Sequence, residues 1–164
     1  MALASPGFTS MSSKPPFGFG PLETPARART SRPVVLVVED TRDQRDLFTA
    51  ELTSAGFDVV EAADGETAIN EALRSNPKAI ILDLMLPGVS GFNVARLLRA
   101  NEQTQDALIV AVTALTSDTF RNYAFEAGCN SVLRKPVIGA TVVGEVVRLL
   151  AKRVPTGPVP RSGV

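Results

Sequence analysis

The chain has 164 residues, of which 45% are hydrophobic and 21% charged, and its 17 basic residues balance its 17 acidic ones. This describes one ordinary globular domain, and the balanced charge excludes broad binding to nucleic acids. The lack of histidine excludes Ser-His-Asp triads and His-ligated metals, and the single cysteine excludes an intrachain disulfide or a thiolate metal cluster.

Residues 1–32 are rich in Pro, Gly, Ser and Thr and carry scattered phenylalanines, so we expect a disordered tail. Its basic end leaves two interpretations open, a docking or targeting tail and a solvated extension. The chain shows neither a secretory signal nor an apolar run of membrane-spanning length. With one cysteine as well, this favours a cytoplasmic location.

Apolar runs and helical spacing then alternate along the chain, which predicts one domain over residues 33–153 and a flexible tail over 154–164. The apolar runs predict five strands, over residues 33–38, 57–61, 78–82, 107–112 and 131–134. The helical spacing predicts five helices, over residues 41–55, from 64 to before 77, over 92–100, 117–127 and 138–152.

This alternation predicts an α/β fold, a doubly wound parallel sheet with helices on both faces. In such sheets the working site lies at the carboxyl ends of the strands. The first strand ends in two acids, the third in Asp83, the fourth in Thr113 and the fifth in Lys135. We therefore expect one cluster, made of Glu39, Asp40, Asp83, Thr113 and Lys135.

Asp83 follows the apolar run AIIL, and burial of an unpartnered carboxylate is costly. We expect its side chain to be half in solvent at the mouth of the sheet. Ser90 and Asp64 are expected to cap helices. Asp40 has an alternative interpretation, as the cap of the first helix.

Three crowded acids repel one another unless a cation joins them, and oxygen ligands favour Mg²⁺ or Mn²⁺. Magnesium favours phosphate oxygens, which points to phosphoryl chemistry. Lys135 then supplies a positive charge, and the hydroxyl of Thr113 donates to a phosphoryl oxygen. Asp83 is the expected nucleophile, forming an acyl phosphate.

The stretches VVLVVED, DLMLPGVSG, VAVTAL and VLRKP resemble the receiver domains of two-component response regulators, and the resemblance covers residues 32–153. The resemblance implies a flavodoxin-like fold with strand order 2-1-3-4-5. It implies phosphorylation at Asp83 and contacts of Thr113 and Lys135 with the phosphoryl group. It further implies a metal held by Asp40, Asp83 and the backbone carbonyl of Met85, with Glu39 assisting, and a cis bond before Pro136.

The chain departs from the family pattern in two respects. Val132 stands where the family often has the Tyr or Phe whose rotation reports phosphorylation, which puts such a switch in doubt. Met85 and Leu115, two residues after Asp83 and Thr113, are apolar. We expect them to leave the attacking water unpositioned, so that dephosphorylation is slow.

The leading hypothesis is a stand-alone phosphoacceptor, not an enzyme, which receives its phosphoryl group from a histidine kinase or phosphotransfer protein. Its expected output is protein binding through the fourth helix, fifth strand and fifth helix, with no nucleic-acid or membrane partner. The alternatives are an unphosphorylated scaffold and a metal-dependent phosphatase, the second disfavoured because Met85 is not an acid. The apolar last helix is either buried by the sheet or a surface for a dimer or partner. Cys129 is expected to be a small buried residue.

Overall fold

The structure is a computed structural model that describes residues 31–153. The predicted tails, residues 1–32 and 154–164, lie outside the described residues except for residues 31 and 32. Five parallel strands form one sheet in the order β2-β1-β3-β4-β5, which confirms the predicted α/β fold. The strands are β1 (Val34–Val38), β2 (Asp58–Ala62), β3 (Ala79–Asp83), β4 (Leu108–Thr113) and β5 (Ser131–Arg134).

A helix follows each strand, as the crossover between parallel strands requires. Asp64 and Ser90, the two predicted caps, and Ser117, which was not predicted as one, each accept a hydrogen bond from a backbone N–H in the first turn of their helix. Among residues 31–153, no helix has the length and apolar character needed to cross a bilayer. The helices are α1 (Arg42–Ser54), α2 (Gly65–Ser75), α3 (Gly91–Ala100), α4 (Asp118–Glu126) and α5 (Gly139–Arg153).

The strands alternate their side chains between two apolar layers. Val35 and Val37 of β1 pack with α1 and α5, while Leu36 and Val38 pack with α2, α3 and α4. Strands β3 and β4 are buried along their whole length, because helices cover both faces of the sheet. The apolar runs seen in the sequence are therefore the central strands.

Three strands begin and end one residue later than the sequence predicts. The backbone N–H of Lys78, the residue before β3, donates to the carbonyl of Val34 in β1. The backbone N–H of Leu108, the first residue of β4, donates to the carbonyl of Lys78. Pairing then continues through Asp83, which lies opposite Val112, and through Thr113, which lies opposite Arg134. Asp83 and Thr113 are thus the last residues of their strands and not the first residues of the loops.

Helix α5 packs one face against the sheet, with Val142, Val146 and Leu149 buried. This confirms the interpretation of a helix buried by the sheet for that face. Val147 lies on the opposite side and is 48% exposed. The interpretation of a dimer or partner surface on that outer side stays a prediction. Cys129 is buried, as expected, and burial raises the pKa of its thiol to about 11.

Candidate functional site

Three carboxylates meet at the carboxyl edge of the sheet. Strands β1 and β3 are neighbours and pair Val38 with Leu82, so the residues that follow each come side by side. One oxygen from each of Glu39, Asp40 and Asp83 lies within 4.8 Å of the others. The predicted convergence of these three acids is therefore present.

Lys135 joins two of these acids. Its Nζ donates hydrogen bonds to Glu39 Oε2 at 2.7 Å and to Asp83 Oδ2 at 2.9 Å. The Lys135 side chain is 16% exposed, and those of Glu39 and Asp83 are 2% and 6% exposed. A short, largely buried bridge of this kind fixes the ammonium between the two carboxylates.

Asp83 is buried, so the expectation that it is half in solvent is wrong. The cost of its burial is offset by two donors: Lys135 binds Oδ2, and the backbone N–H of Met85 donates to Oδ1 at 2.8 Å. Both donors come from outside the strand that carries Asp83. Lys135 was expected near Asp83, but the backbone N–H of Met85 was not expected as a second donor.

Both carboxylate oxygens of Glu39 also accept hydrogen bonds. Its Oε1 accepts from the backbone N–H of Thr41 at 3.1 Å, next to the start of α1. Thr41, and not Asp40, is the N-cap residue of α1, so the alternative interpretation of Asp40 as that cap is wrong. Asp40 is exposed, and its carboxylate is open to solvent at the rim of the cluster.

Burial and pairing shift two pKa values in this cluster. Burial raises the pKa of Glu39 above its ordinary value, by more than the hydrogen bonds from Lys135 and Thr41 lower it. Burial also lowers the pKa of Lys135, but the hydrogen bonds to Glu39 and Asp83 outweigh it, and the net pKa is raised. Lys135 is therefore a fixed positive charge at neutral pH.

Thr113 ends β4, beside β3, and is 1% exposed. Its Oγ1 accepts from the backbone N–H of Leu115 at 3.1 Å, which leaves the hydroxyl proton available to another acceptor. The carbonyl of Thr113 accepts from the backbone N–H of Lys135 at 2.9 Å. The ends of β4 and β5 are thereby joined, while contact between Thr113 and a phosphoryl group stays a prediction.

The end of β5 carries the remaining predicted positions. The bond between Lys135 and Pro136 is cis, the isomer implied by the resemblance. Val132 is half-buried in β5 and borders an open groove of about 200 Å³ beside α4. A small side chain thus stands where the family often has an aromatic ring.

Gly91 is a site residue that the sequence argument missed. A Cβ at this position would overlap the backbone oxygen of Asp83 and lie 2.5 Å from the Cα of Leu84. Only a residue without a side chain lets α3 begin this close to the end of β3. The signal in the sequence was a glycine directly after the capping Ser90.

Comparisons with known proteins agree with this geometry. The response regulator receiver domain family matches residues 35–146. The DNA-binding dual master transcriptional regulator RpaA of Synechocystis is 35% identical over 120 residues, 73% of this chain and 50% of that protein. Response regulator PleD of Caulobacter vibrioides is 38% identical over 103 residues, 63% of this chain and 23% of that protein. The chain thus spans half or less of the length of these curated relatives.

Two solved structures share the fold. Chemotaxis protein CheY4 of Vibrio cholerae has a TM-score of 0.68 and 28% identity over 71% of this chain and 98% of its own. The receiver domain of sensor histidine kinase PA1611 of Pseudomonas aeruginosa has a TM-score of 0.66 and 33% identity, over 73% of this chain and 98% of its own. That structure holds a magnesium ion in its active-site cleft. With the acid cluster, the Lys135 bridge and the family match over residues 35–146, the chain belongs to the response regulator receiver domain family.

Proposed function

We propose that this chain accepts a phosphoryl group on Asp83 from a phosphohistidine of a histidine kinase or phosphotransfer protein, and that it signals through protein contacts that depend on this phosphorylation. The observation that carries the proposal is the ammonium of Lys135, 2.9 Å from Asp83 Oδ2 and 2.7 Å from Glu39 Oε2. This arrangement supports the proposal, because a fixed positive charge beside Asp83 would stabilise the negative oxygens of an incoming phosphoryl group.

The acid cluster fits Mg²⁺, or Mn²⁺ in its place. Three carboxylates against one ammonium leave excess negative charge, all the donors are oxygens, and the exposure of Asp40 leaves room for the waters that Mg²⁺ retains. We propose that Asp40, Asp83 and the backbone carbonyl of Met85 hold the ion and that Glu39 assists. The bound ion would supply positive charge to the phosphoryl oxygens.

The proposed transfer uses the residues in the following way. A carboxylate oxygen of Asp83 forms the new P–O bond while the P–N bond of the donor phosphohistidine breaks, and the departing imidazole takes up a proton. Lys135 pairs with the negative oxygens of the phosphoryl group, and the hydroxyl of Thr113 donates its proton to one of them. The N–H of Met85, bonded to Asp83 Oδ1, keeps the carboxylate oriented.

We propose that the output surface is the face of α4, β5 and α5. Val132 cannot report phosphorylation by turning a ring, so the change would begin at Thr113, whose hydroxyl moves toward the phosphoryl group. Thr113 accepts hydrogen bonds from the backbone N–H groups of both Leu115 and Lys135. Its movement would therefore shift the loop before α4 and the end of β5. The exposed side of α5 would serve a dimer or partner, and the free, buried thiol of Cys129 suits the proposed cytoplasmic location.

The test is intact-mass measurement of the full chain after incubation with acetyl phosphate and Mg²⁺. We expect the wild type to gain the mass of one phosphoryl group and Asp83→Asn to gain none. The matched control, Asp58→Asn, changes an exposed carboxylate on β2 and should gain the group as the wild type does. Continuous release of phosphate without a stable adduct would indicate the phosphatase, and an unchanged mass would indicate the scaffold; either outcome contradicts the proposal.

A further inference from the structure

A groove of about 320 Å³ lies between α3 and α4. It is lined by Ser90, Phe92, Arg96, Phe120 and Tyr123, and we call it the α3–α4 groove. The rings of Phe92 and Phe120 lie 6.5 Å apart at 36° to each other, so they form two sides of one apolar surface. None of these residues belongs to the proposed phosphoryl site.

Half of the aromatic residues within residues 31–153 line this groove. That part of the chain contains six, of which Phe48 and Phe57 are buried in the core. The other four lie on α3 and α4, and Phe120 and Tyr123 are 40% and 47% exposed. Because water contact with such large rings is unfavourable, a cluster of them on the surface is typical of a binding site.

The charge of the groove indicates the sign of its ligand. Arg96 is the one charged residue among those that line it. Within residues 31–153, the guanidinium of Arg96 donates to the neutral Asn93 Oδ1 at 3.1 Å and forms no ion pair. An Arg in this state is available for a carboxylate, to which it can donate two parallel hydrogen bonds.

The size of the groove limits the kind of ligand. Stable dimers bury about 20–30 residues on each side, whereas this groove is lined by five. Its volume of about 320 Å³ lies at the lower end of the range for small ligand sites, roughly 300–1,000 Å³. A groove of this size accommodates one or two side chains of an extended or helical segment.

We propose that the α3–α4 groove docks a short acidic peptide segment of a partner protein. An aromatic or large aliphatic side chain of that segment would pack between Phe92, Phe120 and Tyr123. A neighbouring Asp or Glu would pair with Arg96. The groove shares α4 with the face of α4, β5 and α5 proposed for the output but is completed by α3 and not by β5 and α5, and the proposal does not depend on phosphorylation of Asp83.

The test begins by selecting binders from a random-peptide display library on the full, unphosphorylated chain. The proposal expects selected peptides enriched in Asp or Glu next to an aromatic or large aliphatic residue. A synthetic copy of the strongest binder is then titrated by fluorescence anisotropy against the wild type and two groove variants, Arg96→Glu and Tyr123→Ala. We expect each variant to weaken binding about tenfold or more.

Matched controls separate docking from general effects of charge or folding. Arg42→Glu and Leu47→Ala make the same kinds of change on the exposed side of α1 and should bind as the wild type does. A peptide with Lys in place of its acids should bind Arg96→Glu better than it binds the wild type, which requires that variant to be folded. The absence of selected peptides, the lack of acidic preference, or groove variants that bind like the wild type would each overturn the proposal.

Discussion

The acid cluster and the α3–α4 groove contrast in how their side chains are satisfied. In the acid cluster, Glu39 and Asp83 are almost fully buried, and each carboxylate has donors from other parts of the chain. In the groove, Phe120 and Tyr123 are nearly half exposed and Arg96 pairs with no acid among residues 31–153. The two buried carboxylates of the first region are paired within the domain, while the second region presents aromatic rings and a guanidinium to solvent.

The acid cluster and the α3–α4 groove therefore differ in their contribution to the stability of the fold. The cluster's polar groups are tied to the fold, because removing one partner leaves a buried charge without compensation. Phe120 and Tyr123 carry less of the folding free energy than core residues, because 40% and 47% of their surface remains exposed. Changes in the cluster should therefore affect folding and chemistry together, while changes in the groove should affect binding alone.

Among changes to the acid cluster and the groove, replacing Lys135 is expected to have the largest effect on stability. Lys135→Met leaves Glu39 and Asp83 buried without their cation, so in EDTA the free energy of unfolding should fall by about 3 kcal/mol at pH 7. The control Arg42→Met breaks an exposed pair with Asp46 and should cost less than about 0.5 kcal/mol. Urea denaturation measures the free energy of unfolding of both variants. Equal losses would show that the buried bridge contributes no more to stability than the exposed ion pair.

The Lys135 effect should also depend on pH. The pKa of Lys135 is raised in the folded protein, so its contribution is complete below the ordinary lysine value of 10.5 and is lost as the pH rises through the raised value. At the acid end, protonation of Glu39, whose ordinary pKa of 4.5 is raised by burial, removes the need for the cation. The stability difference between wild type and Lys135→Met should be widest between these limits, and a difference that grows below pH 4 would contradict this.

The close approach of Gly91 to Asp83 gives the next largest effect. Gly91→Ala forces a methyl group against the backbone of Asp83 and Leu84. We expect the free energy of unfolding to fall by about 2 kcal/mol and the phosphorylation of Asp83 to become slower. The control Gly144→Ala, on the exposed side of α5 with no atom within 4 Å of the added carbon, should stabilise the protein by about 0.5–1 kcal/mol. A melt in which both variants shift in the same direction would disprove the proposed crowding.

A smaller effect concerns the lifetime of the phosphoryl group. Met85 is 57% exposed and offers no polar group to a water that attacks the phosphorylated Asp83. The double variant Met85→Asn, Leu115→Glu would position that water, and we expect it to shorten the lifetime about tenfold. The apolar control Met85→Leu, Leu115→Met should keep the wild-type lifetime. Intact mass after removal of acetyl phosphate follows the decay, and loss within seconds in the wild type would refute the idea.

The smallest effect is expected at the groove. Phe120→Ala and Tyr123→Ala should each change the free energy of unfolding by less than about 1 kcal/mol, because their rings remain exposed. Phe48→Ala, at a fully buried ring, should cost about 3–5 kcal/mol. Chemical denaturation compares the three, and a loss at Tyr123 as large as that at Phe48 would place the groove within the core.

Residue types and the rule for parallel sheets were enough to predict the doubly wound parallel sheet and the cluster, while the strand order was implied by the resemblance to receiver domains. An acid or a lysine after a buried strand is chemically conspicuous, and the rule brings such residues to one edge. Lys135 was expected near Asp83, but the burial of Asp83 could not be predicted, because the hydrogen bonds from Lys135 and from the N–H of Met85 that offset its cost depend on the folded geometry. The one-residue offset of β3 has the same origin, since pairing with β4 decides where the strand ends.

The groove was invisible to the sequence argument for a different reason. Phe120 and Tyr123 lie three residues apart on a helix, a spacing equally typical of side chains that face the core. Whether such a face lies against the sheet or in solvent depends on the orientation of α4 about its own axis. In the structure Ala124 is the buried residue of that helix, so Ala124 marks the side that faces the sheet. Local pattern identifies the apolar stripe and leaves its direction to tertiary packing.

The paired register of β1 and β3, with Val38 opposite Leu82, places a constraint on how this chain can change. Exchanges among Val, Ile and Leu inside these strands alter packing but keep every carboxylate on its side of the sheet. Insertion or deletion of a single residue reverses the direction of all that follow in the strand and turns Asp83 toward the opposite helical layer. Strand length, far more than strand composition, is what natural variation of this domain must preserve.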